Sequence, residues 1–103
     1  MKKHLLVLLC FLMIGGNVLA ATFKGGGYVA CLSEDLFNQI TATVVNKDDY
    51  GFAYLLKHGC IITKKGTRIS VLDRSIWNGW AKVRAYTGDA SVVLWTNLEN
   101  ISP

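Results

Sequence analysis

Trp80-Ala81-Lys82-Val83-Arg84-Ala85-Tyr86-Thr87-Gly88-Asp89-Ala90-Ser91-Val92-Val93-Leu94-Trp95-Thr96 is the stretch whose reading decides the fold. Small or apolar residues alternate with large or charged ones before a glycine turn and resume after it, the period of two that marks a β-hairpin. With the turn at residues 87–90, Tyr86 faces Ser91, Arg84 faces Val93 and Lys82 faces Trp95. One face of the hairpin then carries Ala81, Val83, Ala85, Val92, Leu94 and Thr96, and is core. The other carries Trp80, Lys82, Arg84, Tyr86, Val93 and Trp95. A one-residue bulge in the hairpin would exchange the two faces, because successive strand residues point opposite ways.

The same period extends back to Gly59. Cys60-Ile61-Ile62 reads as a short strand and Lys64-Lys65-Gly66-Thr67 as a glycine turn. Arg68 to Asp73 is a further strand, in which Ile69 and Val71 alternate with Arg68 and Ser70. Asp73 to Gly79 reads as a longer polar loop with one aromatic, Trp77. Asn97 to Ile101 suits a helical turn followed by a closing strand. Asn100-Ile101-Ser102 spells a glycosylation sequon, which three common residues produce by chance.

Upstream, the period changes. Tyr28 to Cys31 is a short strand, after which Ser33 is placed to cap a helix with Glu34 and Asp35 in its first turn. Leu36, Phe37, Ile40 and Val44 fall on one helical face. Asn46-Lys47 interrupts the pattern, Asp48 or Asp49 caps a second helix with Phe52, Leu55 and Leu56 inward, and Gly59 takes the position just past its end. Ala21 to Gly27, with three consecutive glycines, reads as a flexible lead-in. It is no phosphate loop, because no Lys-Ser/Thr comes after it and no strand precedes it.

The first twenty residues read as an export signal. Lys2, Lys3 and His4 precede an apolar run from Leu5 to Ile14, and Val18-Leu19-Ala20 presents small residues where a signal peptidase cuts. The run is about half the ~20 residues that span a bilayer. Removing residues 1–20 takes away Lys2 and Lys3 and lowers the formal charge from +4 to about +2. That balance gives no reason to expect nucleic acid, and no membrane insertion is expected once the signal is cleaved. The expected location is periplasmic or extracellular.

Cys10 leaves with the signal, so Cys31 and Cys60 remain. In an oxidising compartment an even pair in a small domain is read first as a disulfide. Closing a loop of that length stabilises by about 3–4 kcal/mol in the chain-entropy model. His58 beside Cys60 is the one nucleophile–base pair on offer, and no orienting acid accompanies it. With His4 removed, no metal-ligand set is left, and neither metal nor cofactor is expected. The chain is therefore expected not to be an enzyme.

The glycine turn, Arg68-Ile69-Ser70-Val71-Leu72, a loop, Lys82-Val83-Arg84, a second glycine turn, Val93-Leu94-Trp95-Thr96 and the final Ile101 together resemble the bacterial SH3-like (SH3b) class. The likeness covers roughly residues 59–101, and the whole exported chain is similar to small bacterial proteins described only as SH3-domain-containing. The resemblance implies an α+β fold: an antiparallel SH3-like β-barrel of about five strands, preceded by two short helices and stapled by one disulfide. The divisions are residues 1–20 as signal, 21–58 as a strand with a two-helix cap, and 59–103 as the barrel. It also implies binding of a protein or cell-wall peptide. The helical segment between the cysteines departs from the ordinary barrel and could cover the groove that related domains use.

Trp77, Trp80, Lys82, Arg84, Tyr86 and Trp95 are accordingly the expected binding residues, with Trp77 on a loop the foremost by position. The competing reading of the hairpin ladder is structural: it stabilises the sheet or packs beneath the helices. The favoured function is an exported, non-catalytic binding module. The alternative is a small inhibitor or immunity-type protein that inserts the Asp73–Gly79 loop into a secreted hydrolase.

Overall fold

The computed structural model describes residues 20–103. Apart from Ala20, the expected export signal lies outside the described residues. In chain order the elements are β1 (Ala20–Phe23), β2 (Val29–Cys31), α1 (Glu34–Val45), α2 (Asp49–Lys57), β3 (Cys60–Ile62), β4 (Arg68–Ser75), β5 (Trp80–Thr87) and β6 (Ala90–Asn97). A 3₁₀ turn, Leu98–Asn100, leads into β7 (Ile101–Ser102). The fold is α+β, and its sheet has seven strands rather than the expected five or so, in the order β3-β2-β6-β5-β4-β1-β7.

That order requires the sheet to curl. Laid flat, β6 and β7 would stand four strand spacings apart, about 19 Å. The chain from Asn97 to Ile101 reaches at most about 14 Å even when extended, and here it is wound into a 3₁₀ turn. The concave face encloses Ala21, Phe23, Ala30, Ile69, Ala81, Val83, Ala85 and Leu94. Each large aliphatic side chain buried there contributes about 1.5–3 kcal/mol.

The β5–β6 register matches the hairpin reading: Tyr86 lies opposite Ser91, Arg84 opposite Val93 and Lys82 opposite Trp95. The register shift falls instead in β4, between Val71 and Asp73. The extra residue, Leu72, lets β4 continue past the expected strand end. Asp73 then pairs with Lys82, Arg74 with Ala81 and Ser75 with Trp80. The expected long loop at Asp73–Gly79 is therefore a four-residue turn at 76–79.

Both helices start at the expected caps. The Ser33 side chain accepts from Leu36 N–H, and that of Asp48 from Gly51 N–H. Together they cover the convex side of the sheet around β2, where Val29, Cys31, Phe37, Ile40, Leu55, Cys60 and Trp80 form a second core. Val44 departs from its expected inward place: it is 59% exposed, lining an open hollow with Tyr28, Thr41, Phe52 and Asn97. Cys31 and Cys60 sit opposite each other on β2 and β3 and are bonded. The staple thus fixes both ends of the helical insertion at one point of the sheet.

The lead-in is the larger departure. Residues 20–23 form a strand that pairs with both β4 and β7. Only the glycine run after this strand is a turn, and its glycines are needed for conformation. Gly25 has φ +69°, and a Cβ there would stand 2.6 Å from the backbone nitrogen of Lys65.

Asn100 holds these ends together. Its amide Nδ2 donates to the hydroxyls of Thr63 and Thr96 at 3.0 and 2.9 Å, and its Oδ1 accepts from Gly25 N–H at 3.1 Å. Its backbone carbonyl accepts from Lys24 N–H. The side chain is fully buried, so the sequon it belongs to is closed to modification in the folded chain.

Candidate functional site

Alternation along β5 and β6 puts Trp80, Lys82, Arg84, Tyr86 and Trp95 on the convex face, but the helices divide them. Trp80 lies at the covered end. It is 9% exposed, packed in the second core, and its indole Nε1–H donates to the Glu34 carboxylate of α1 at 3.0 Å. A ring held in this way is an anchor between helix and sheet, so for Trp80 the structural reading prevails. Trp95 borders the same core opposite Cys31 and is half-buried. Above its ring stands the Lys82 ammonium, 5.2 Å from the centroid, a cation–π contact of about 0.5–1 kcal/mol where water reaches it.

Beyond Lys82 the helices no longer cover the sheet. Arg84 is exposed, and Tyr86 is 43% exposed with its hydroxyl hydrogen-bonded to that of Ser70 at 2.9 Å. The inward neighbours Ile69 and Ala85 are buried and paired, which turns Arg68, Ser70, Arg84 and Tyr86 to the same outer surface. Arg68 and Ser70 were not among the expected site residues. Their alternation with Ile69 and Val71 marks them as outward, but only the β4–β5 register sets them beside Arg84 and Tyr86.

Trp77 stands apart from this face on the 76–79 turn, 97% exposed beside Ile76 at 78%. The turn is held by Gly79 N–H donating to the Ser75 carbonyl and Asn78 N–H to the Ser75 hydroxyl. Two large apolar side chains are thereby presented to solvent on a hydrogen-bonded turn.

Cys60 is committed to the disulfide, and the His58 ring stacks on Tyr54 with centroids 4.0 Å apart. The sulfur is therefore no free nucleophile for His58 to activate. Among the described residues no group of three or more His, Cys, Asp or Glu could hold a metal ion, and no helix is long and apolar enough to cross a membrane. Comparison with protein-family models, with curated proteins and with solved structures returns no match.

Proposed function

We propose that the chain is an exported, non-catalytic binding module of SH3-like design that recognises a protein or cell-envelope peptide. The observation that carries this reading is the exposure of Trp77 and Ile76 on a hydrogen-bonded turn. Neither side chain contributes to either core. A tryptophan has only two χ angles to order on binding, and such residues dominate interface energies.

The strand order supports the SH3-like part. Within the seven strands, β6-β5-β4-β1-β7 is a five-stranded series closed by a 3₁₀ turn before its last strand. On this reading β1 rather than β3 is the first barrel strand, so the barrel departs from the expected 59–103 span, and residues 24–67 are an insertion between its first and second strands. The disulfide suits an oxidising compartment.

The export half is tested by intact mass of the protein secreted from a bacterial host. The reading expects a chain starting at Ala21 that is alkylated only after reduction. The binding half is tested by titrating solubilised cell-envelope peptides against the native chain and the Trp77→Ala variant. At least a tenfold weaker interaction, at an unchanged melting temperature, is the expected result. Equal binding by both proteins would remove Trp77 from the site and, with it, the observation that carries the reading.

A further inference from the structure

The convex face of β4 and β5 carries a second feature, separate from the Trp77 turn. Ser70 lies directly opposite Arg84. One pair beyond the inward-facing Ile69 and Ala85, Arg68 and Tyr86 occupy the next outward positions. The two arginines therefore stand on one diagonal of a four-residue patch and the two hydroxyls on the other. Diagonal neighbours in an antiparallel pair are about 7–8 Å apart at the backbone, within reach of two guanidiniums converging on one small anion.

The third strand makes room for it. Ala20 and Thr22 of β1 lie opposite Ser70 and Arg68, and beside the small Ala20 and Ala21 a groove of about 520 Å³ opens. Its walls include Arg68, Ser70, Tyr86 and Gly88, and Arg84, opposite Ser70, stands just outside them. The volume falls in the range of about 300–1,000 Å³ common to small-ligand sites. In the Ser70–Tyr86 hydrogen bond only one hydroxyl donates to the other, so one O–H is left to donate to a ligand. Arg68 and Arg84 are both exposed, with Lys82 the next outward residue along β5. The nearby acids are Asp73, opposite Lys82, and Asp89 in the β5–β6 turn.

We propose that Arg68, Arg84 and the Ser70–Tyr86 hydroxyl pair form a carboxylate-binding site for an acidic peptide seated in this groove. Guanidiniums present a planar fork of donors that matches a carboxylate in two-point contact. The Tyr86 ring and the open groove beside β1 give the flanking backbone a surface to lie along. This assignment rests on the exported peptide-binding reading: cleavage after Ala20 removes that wall residue, opening the groove further beside Ser70, and leaves the α-ammonium of Ala21 at its edge.

The test is a ¹H–¹⁵N NMR titration of the exported chain with acetyl-Gly-Glu-Gly-Glu-Gly-amide and with its glutamine counterpart. The glutamate peptide is expected to shift the amides of residues 68–70 and 84–88 saturably, and to bind at least tenfold tighter than the glutamine peptide. Arg68→Gln and Arg84→Gln should each weaken it at least fivefold at an unchanged melting temperature, and 0.5 M salt should weaken it further. Equal binding of the two peptides, shifts elsewhere on the surface, or indifference to both substitutions would overturn the site. Inorganic phosphate saturating the same amides at lower concentration would reassign it to a free anion and overturn the peptide. So would Arg68-dependent binding to phosphatidylglycerol vesicles without peptide binding. The two readings fail separately. Loss of cell-envelope peptide binding in Trp77→Ala but not in Arg68→Gln retains the module and rejects this site, whereas indifference to all three substitutions rejects both.

Discussion

Replacing Asn100 tests whether one buried amide holds the curled sheet closed. Asn100→Ala removes the acceptor of Gly25 N–H, a buried donor with its hydrogen bond at 3.1 Å. Orphaning such a group costs about 1–3 kcal/mol. The hydroxyls of Thr63 and Thr96 keep their own acceptors, the carbonyls of Tyr28 and Val29. They lose only the bond they receive, and the vacated amide volume adds a small cavity cost. The sum is about 2–4 kcal/mol, which for a domain of this size lowers the melting temperature by roughly 10–25 °C. Asn100→Asp separates the hydrogen bonds from the shape. One carboxylate oxygen can still accept from Gly25, but the other meets two hydroxyl oxygens that already donate elsewhere. Burial with one donor for two oxygens raises the folded-state pKa of the introduced group above its unfolded value. Its stability is then fullest below the unfolded pKa and is lost as pH rises through the folded one. Thermal unfolding followed by circular dichroism at pH 4 and pH 7 reads both effects. An Asn100→Ala variant melting within about 3 °C of the parent, or an Asn100→Asp variant insensitive to pH, would refute the reasoning.

Other substitutions have equally definite outcomes. Replacing Cys31 and Cys60 together by serine should cost about 3–4 kcal/mol in urea unfolding, and a loss below about 1 kcal/mol would mean the staple constrains little. Trp80→Ala should destabilise by about 3–5 kcal/mol, because it empties a packed site and leaves the Glu34 carboxylate without its indole donor. Trp77→Ala should change stability by less than about 0.5 kcal/mol, and the two tryptophans behaving alike in a melt would contradict their assigned environments. Gly25→Ala should cost on the order of 2–3 kcal/mol, from its positive φ and the approach to Lys65. Gly26→Ala, where a Cβ meets nothing within 4 Å, should lose only the strain of the backbone angle, and equal losses at the two glycines in urea unfolding would remove the Lys65 contact as a cause.

How much of this was legible depends on the range of the forces involved. Helix starts are written in neighbouring residues, because a cap bonds to a backbone N–H three positions on, and Ser33 and Asp48 do so. The β5–β6 register was legible for the same reason, since a short turn ties each residue to a partner a fixed distance away in sequence. The helical face of α1 was read correctly at Phe37 and Ile40 but not at Val44, since periodicity says which residues align and not what covers them. The Leu72 bulge left no local mark. It lengthened β4 and turned a presumed loop into a paired strand.

By itself the sequence determined the hairpin and its two faces, the two capped helices and the pair of cysteines available to bond. Each depends on contacts within a few residues or on simple counting. Only the tertiary structure decided that Ala20–Phe23 is a strand, because its partners in β4 and β7 lie far along the chain. It also buried Trp80 under α1 while leaving Trp77 in solvent, though both are tryptophans three positions apart beside the same turn. It brought Arg68 and Ser70 against Arg84 and Tyr86, and it made Asn100 a buried tie rather than a surface sequon. The physical reason is common to all of these. Alternation fixes the direction of a side chain relative to its own strand, and burial depends on which distant element packs against that side.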